Sequence, residues 1–199
     1  PESGHPLDEH RFPYVRKRGP IALIGVSTAT ATGPFMATGE VRRKQRKRLA
    51  AALQATRGAF RIVLIHHPPV SGATPWHKRL IKAGKIRAIL EEHGAELVLH
   101  GHTHLPTRRL LTGPQGPIPV IGVAAAGEAP GSHRPPAQYN LFEISGEAGR
   151  WSCTLTAHVC EGPDLVAQRP VLPIYENGVC VAPDDAQDAP VEGPIVTQP

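Results

Sequence analysis

The sequence predicts an α/β fold with a parallel or mixed sheet, and three observations carry this prediction. Short apolar runs bounded by Gly, Pro or polar residues occur at residues 21–26, 61–65 and 96–99, as expected for buried strands. Two segments with apolar residues at helical spacing separate these runs. A strand–helix–strand–helix–strand order is typical of a sheet with parallel strands and covering helices.

The two helices have recognisable ends. We predict that the first begins after Thr38, which is suited to an N-cap, and ends at Gly58. Leu49 is among the apolar residues that fall on one face of it. The second helix is predicted at about residues 77–93, where the apolar residues keep a 3.6-residue period and Gly94 ends the pattern.

The sequence pattern changes after the third predicted strand. Three further apolar segments joined by Gly and Pro predict antiparallel strands at residues 118–123, 139–144 and 151–159. From about residue 161, Pro, Asp and small residues dominate and no periodicity remains. We therefore predict one domain over residues 1–160 and a flexible, Pro-rich acidic tail over residues 161–199.

Composition excludes several classes of protein. A chain of 199 residues is enough for one ordinary domain. No apolar run approaches the roughly 20 residues that a membrane-spanning helix needs, so no membrane span is predicted. The three Cys residues have no C-x-x-C spacing and are odd in number, which supports neither a zinc knuckle nor a disulfide framework. A reducing, cytoplasmic location is the prediction that follows.

Charge is unevenly distributed along the chain. Residues 1–150 contain 21 Lys or Arg and 10 Asp or Glu, whereas residues 151–199 contain one and seven. A basic body favours an anionic partner such as a phosphate compound or nucleic acid. Six cations within residues 42–48 suggest a nucleic-acid patch, but no aromatic residue is interleaved to stack on bases. The solvated face of an amphipathic helix is the favoured interpretation of that run.

Five histidines follow the ends of two predicted strands: His66, His67, His100, His102 and His104. Ligands of open α/β sheets gather at the carboxyl ends of the strands. His102 and His104 would project to the same side of an extended segment, since the side-chain period there is two. His100 would then lie on the opposite side, as a buried and hydrogen-bonded ring. Neutral imidazole binds Zn, Fe, Mn, Co or Ni well, so the pattern predicts a metal site.

The two histidine elements together resemble those of a known family. Apolar strands lead into H-H-P-P at residues 66–69 and into H-G-H-T-H at residues 100–104. This combination resembles the calcineurin-like metallophosphoesterases, and most closely the bacterial branch with class III cyclic-nucleotide phosphodiesterases. The resemblance covers about residues 12–145. It implies an α/β (in some schemes α+β) fold that is the C-terminal half of a four-layer αββα sandwich with mixed sheets.

The resemblance also implies roles for individual residues. His66 and His102 would share one metal ion, His104 would bind a second, and His67 would lie beside the ligands or face the substrate. The implied cofactors are two divalent ions per complete site, such as Mn, Fe or Zn. Two such ions activate a bridging water for attack on phosphorus. A small phosphoester, such as a cyclic nucleotide, is the implied substrate.

The chain departs from the family pattern in its first half. The elements D-x-H, G-D-x-x-D and G-N-H-D (or G-N-H-E) are absent, and Asp8 is the only Asp before residue 164. Because those elements supply the bridging carboxylate and the catalytic histidine of the family, no catalytic residue is assigned here. We expect an N-terminal half upstream of Pro1, in the gene product or its ancestor.

Three functions follow as hypotheses. The first is a metal-dependent phosphoester hydrolase, a phosphodiesterase or phosphatase that is incomplete in this chain. The second is a metallophosphoesterase-like scaffold or metal-binding fragment without catalysis, which the missing carboxylates favour. The third is a basic nucleic-acid-binding module.

Overall fold

A six-stranded mixed sheet forms the centre of the molecule, whose computed structural model describes residues 12–185. The strands lie in the order β1-β2-β4-β6-β8-β7. The inner strands β2, β4, β6 and β8 are parallel, and β1 and β7 are antiparallel edges. The bounds are β1 Tyr14–Arg18, β2 Ile21–Val26, β4 Phe60–Ile65, β6 Leu97–His100, β7 Arg108–Leu111 and β8 Ile118–Gly122. The three strands predicted at residues 21–26, 61–65 and 96–99 are confirmed to within one residue.

Two helices, α1 (Arg43–Ala55) and α2 (Ala83–His93), pack on one face of this sheet. Leu49 and Leu53 of α1 are buried in one cluster with Ile86 and Leu90 of α2. Each helix buries these residues because they lie three or four positions apart, on one helical face. Ile24, Val63 and Val98 of the central strands complete this cluster, so the helices and the sheet share one core.

Both helices begin later than predicted. The segment after Thr38 forms a short strand β3 (Gly39–Glu40), which pairs in parallel with β5 (Leu80–Ile81). This long-range pairing holds both segments in extended conformation, so α1 begins only at Arg43. The segment before β5 is a 3₁₀ turn, Trp76–Lys78, rather than the start of α2. The predicted end of α2 is confirmed, since Gly94 has φ +74 and donates to the Leu90 carbonyl (2.8 Å).

A five-stranded antiparallel sheet covers the other face of the central sheet. Its strands are β9 Gln138–Ser145, β10 Ser152–Gly162, β11 Leu165–Gln168, β12 Leu172–Glu176 and β13 Val179–Cys180. Phe60 of the central sheet meets Trp151 and Tyr175 edge-on, with ring centroids 5.7 and 6.0 Å apart. The fold is therefore a mixed α/β arrangement. Within residues 12–185 its layers are helices, central sheet and second sheet.

The predicted tail from residue 161 is wrong for the part of it that the structure describes. Strand β10 runs past residue 160 to Gly162, and the chain then supplies three more strands of the second sheet, which end at Cys180. The following segment reaches the edge strand β7. There the Asp185 carboxylate accepts hydrogen bonds from the Arg108 backbone N–H (2.7 Å) and Nε (2.9 Å). Residues 186–199, where the rest of the predicted tail falls, lie outside the described residues.

A buried ion pair fastens the amino ends of β4 and β6. The Arg61 guanidinium donates from Nε and Nη2 to the two carboxylate oxygens of Glu96, both at 2.9 Å. Its Nη1 donates to the His93 carbonyl at the end of α2 (2.8 Å). The pair therefore joins two strands and a helix at the amino ends of the strands, opposite the end where the histidines lie.

Within residues 12–185, no helix is both long enough and apolar enough to cross a lipid bilayer.

Candidate metal site

Three histidine rings converge at the carboxyl ends of β4 and β6. These strands are parallel neighbours, and Ile65 pairs with His100 at their last register position. His66 and His67 directly follow β4, while His102 lies two residues beyond β6. The ligand nitrogens of His66, His67 and His102 all lie within 4.8 Å of one another, so this cluster could hold a metal ion.

One nitrogen each of His66 and His102 is bonded within the described residues only to the other, and these two nitrogens are called the open pair. Nε2 of His66 lies 3.2 Å from Nδ1 of His102. The other nitrogen of His102, Nε2, donates to the Lys78 carbonyl (2.8 Å), so the ring keeps its lone pair on Nδ1. Two nitrogens on one tetrahedral zinc, each about 2.1 Å from it, would be about 3.4 Å apart. A backbone carbonyl on the far nitrogen is also the usual partner of a metal-binding imidazole.

His67 belongs to the cluster, but both of its nitrogens are engaged. Its ring is buried; Nε2 donates to the Ala37 carbonyl (3.0 Å), and Nδ1 accepts from the Thr28 hydroxyl (2.7 Å). The ring centroid lies 4.1 Å from that of His102. His67 therefore lies beside the open pair and connects it to two loops, and it could bind a metal only by giving up the Thr28 bond.

The structure does not bring His104 into the cluster. His102 and His104 both have left-handed backbone, with φ +65 and +60, so the chain turns at each of them and is not extended. The prediction that the two rings project to the same side is wrong for this reason. Nδ1 of His104 instead accepts a hydrogen bond from the Arg134 guanidinium (2.8 Å).

His100 is the buried, hydrogen-bonded ring that the sequence predicts. It is 5% exposed, its Nδ1 donates to the Gly101 carbonyl (3.0 Å), and its Nε2 accepts from the Thr107 hydroxyl (3.4 Å). Gly122 leaves room for this ring, because a Cβ atom there would lie 2.7 Å from its Cε1.

Burial favours the neutral form of His67 and His102 by lowering the pKa of each ring. It lowers the pKa of His102 to about 4, with the nearby His67 ring adding to the effect and the Lys78 carbonyl opposing it. Burial also lowers the pKa of His67 despite its bond to Ala37. The lone pair on His102 Nδ1 is therefore available at neutral pH, which metal binding requires.

The donor set fits one ion and not two. Within residues 12–185 the cluster contains no Asp or Glu, and Asp8 lies outside the described residues. Two open imidazole nitrogens match part of the protein share of a single transition-metal site. They do not match a two-ion site, which needs a bridging group and ligands on both ions.

Several residues around the site carry no sequence signal for their role. Thr28 falls in a Ser/Thr-rich loop, Lys78 contributes only its carbonyl, and Arg134 reaches His104 from 30 residues away. A Thr two residues after a buried strand, next to a strand that is followed by histidine, is the one pattern that could have indicated Thr28.

The chain matches no protein-family model and no curated protein. Among solved structures it is similar to GAP50, the anchor in the inner membrane complex of Plasmodium, with 11% identity and a TM-score of 0.42. The match covers 79% of this chain and 51% of that one, so the chain spans about half the length of the structure it matches. This distant likeness does not indicate a metallophosphoesterase.

Proposed function

We propose that this chain is part of a metal-dependent phosphoester hydrolase of the calcineurin-like metallophosphoesterase type. The observation that carries the proposal is the 3.2 Å approach of His66 Nε2 and His102 Nδ1 at the ends of two parallel strands. The pair lies in the two sequence elements that resemble the family. The substrate class is a phosphoester, and the surplus of cations over residues 1–150 suits an anionic substrate.

The order of layers supports the same proposal. Helices, a mixed sheet and an antiparallel sheet are three successive layers of an αββα sandwich. The outer face of the second sheet exposes apolar side chains, among them Tyr139 (57%) and Leu141 (49%) on β9. A fourth, helical layer would cover this face in a complete sandwich of that type.

A bound divalent ion would lower the pKa of a coordinated water and supply hydroxide for attack on phosphorus. The chain's part in this is to hold the imidazoles of His66 and His102 side by side. The Lys78 carbonyl accepts a hydrogen bond from the His102 ring and fixes its orientation, and the ring of His67 packs against the ring of His102. Because the described cluster lacks a carboxylate, we expect hydrolysis by this chain to be weak, with further ligands needed for full activity.

A metal-binding scaffold without catalysis is the second candidate, and the donor set favours it. Two open imidazoles bind one transition-metal ion but do not assemble a two-ion site. The two candidates share the metal and differ in turnover, so one set of variants tests both.

The test measures metal affinity first and hydrolysis second. The 199-residue chain is titrated with Mn²⁺ and Zn²⁺ by calorimetry, alongside His66→Ala, His102→Ala and, as a control, the exposed His133→Ala. We expect at least tenfold weaker binding in the first two variants and unchanged binding in the third. Absence of metal binding by the wild type, or equal binding by all four proteins, would refute the site. Metal-dependent hydrolysis of bis-p-nitrophenyl phosphate separates the enzyme from the scaffold.

A further inference from the structure

A basic cleft lies beside the start of α1. It has a volume of about 810 Å³, and its walls include the side chains of Arg42, Arg43, Lys44 and Arg48. The opposite wall is the loop that follows β2, from Ser27 to Ala31. The cleft therefore lies between the carboxyl end of β2 and the start of α1. The histidines lie at the same end of the parallel strands.

Over the range that the structure describes, 12–185, none of the four cations of the basic cleft takes part in a side-chain hydrogen bond or an ion pair. The charge of Arg42 does act on the Glu40 carboxylate. Glu40 is the one acid on the cleft wall, and its carboxylate is bound by Lys82 (2.7 Å). The first turn of α1 holds no acidic residue either. The cleft therefore keeps a net positive charge.

Direct contacts connect the basic cleft to the metal site. The Gln45 side chain on α1 bonds both backbone groups of Ser27, accepting from its N–H and donating to its carbonyl, each at 2.9 Å. The next residue, Thr28, donates to Nδ1 of His67. His67 in turn packs edge-on against His66, with ring centroids 5.0 Å apart. These contacts join the wall of the basic cleft to the ring that packs against His66.

The six cations of residues 42–48 fall into two groups in the structure. Arg46 turns back to the Val41 carbonyl, and Lys47 points away from the cleft into solvent. The remaining four cations share one concavity. All four are exposed, so they are available to an anion that enters the cleft.

We propose that the basic cleft binds a further phosphate group of the substrate whose phosphoester lies at His66 and His102. This inference rests on the proposed function, which makes the phosphoester bound at His66 and His102 a substrate. It names the substrate class as compounds with two or more phosphates, such as a nucleic-acid strand or an oligophosphate. A cyclic mononucleotide carries one phosphate and would leave the cleft empty.

The test measures binding without metal, so that it does not depend on the metal site. In EDTA, fluorescein-labelled dT8 is titrated by anisotropy, and inorganic tripolyphosphate by calorimetry. The double variant Arg43→Ala/Arg48→Ala removes two cleft cations. The matched control, Lys47→Ala/Arg57→Ala, removes two exposed cations that do not line the cleft.

We expect the cleft variant to bind at least one probe tenfold or more weakly and the control to bind within about twofold of wild type. For dT8, the slope of log affinity against log salt should fall by about 1.4, since each phosphate contact on a single strand contributes about 0.7. A loss confined to dT8 identifies a strand as the ligand, and a loss confined to tripolyphosphate identifies an oligophosphate.

Three results would overturn the proposal: no binding of either probe by the wild type, equal losses in the two double variants, or an equal loss of cyclic AMP binding in the cleft variant. Failure of the proposed function is a separate result. It would appear as absent metal binding at His66 and His102, while the EDTA measurements on the cleft remain valid.

Discussion

The Thr28 hydroxyl donates a 2.7 Å hydrogen bond to Nδ1 of His67, and both residues are buried, at 3% and 7% exposure. The bond joins the segment after β2 to the segment after β4. The opposite nitrogen of His67 donates to Ala37 (3.0 Å), so one ring connects three chain segments beside the candidate metal site.

Replacing Thr28 with Val should destabilise the protein by about 1–3 kcal/mol, because a buried nitrogen of the His67 ring would lose its hydrogen-bond donor. Urea unfolding measures the change. Thr32→Val is the control, since the exposed Thr32 hydroxyl, bonded to the Met36 carbonyl, can be replaced by water; its effect should stay within about 0.5 kcal/mol. Equal stability of Thr28→Val and wild type would show that the bond does not stabilise the fold.

Gly39→Ala should displace the His67 ring. A Cβ atom at residue 39 would lie 2.4 Å from Nδ1 of His67, far inside contact distance. We expect a loss of about 1–3 kcal/mol, as for other overpacked sites, measured as a lower Tm by calorimetry. Gly33→Ala, where nothing lies within 4 Å, should leave the Tm unchanged or slightly raised. A similar effect at both positions would contradict the close approach.

The metal-free protein should lose stability as the pH falls from 7.5 to 5.5. Burial lowers the pKa of His67, His100 and His102 below the ordinary value of 6.5, so these rings bind fewer protons when folded than when unfolded. Their contribution is complete above about pH 6.5 and is lost as the pH falls toward the folded values, which for His102 is about 4. The charged and titratable groups that act on His102 are His66, His67 and Lys78.

Urea midpoints in EDTA at the two pH values measure this loss. The Glu40 carboxyl does not interfere, because its pKa is held below 4.5, chiefly by the hydrogen bond from Lys82. His100→Gln removes one of the three rings and should show a smaller loss between the two pH values. A midpoint that is constant or rises on acidification would contradict the prediction.

Glu96→Gln should be strongly destabilising, by about 3–5 kcal/mol, because it leaves the charge of Arg61 unpaired in the interior. Arg61 is 4% exposed, and Glu96 accepts its backbone N–H (2.6 Å) as well as its guanidinium. The control is Glu147→Gln, which breaks an exposed pair with Arg150 and should cost less than about 1 kcal/mol. Urea unfolding compares the two, and similar losses would show that burial adds nothing to the Arg61 pair.

The parallel strands β2, β4 and β6 could be predicted because they are largely buried and so appear as unbroken apolar runs. The segment 118–123, predicted as an antiparallel strand, instead forms β8, which is parallel to β6. The run at residues 21–26 coincides with β2. The helix starts could not be predicted, since β3 and β5 are two residues each and depend on a partner about 40 residues away. Strands in the predicted tail were missed because β11 is largely exposed and therefore shows no apolar period.

Some residues of the candidate site could likewise be predicted from the sequence, and others could not. His66 and His102 could be placed together because parallel neighbouring strands end side by side. His104 could not be placed correctly, since the left-handed backbone at two non-glycine residues has no local signal. The contacts of Thr28 and Arg134 join distant segments, which no spacing in the chain indicates.

The attachment of Asp185 to Arg108 has a consequence for how separate molecules meet. β7 is an outer strand of the central sheet, and an outer strand is a template on which another chain can add. Asp185 accepts the Arg108 backbone N–H (2.7 Å) and donates its own N–H to the Arg108 carbonyl (3.0 Å). An incoming strand would have to displace both of these hydrogen bonds and the salt bridge between Arg108 and Asp185. The Asp185 carboxylate therefore opposes edge-to-edge aggregation at β7.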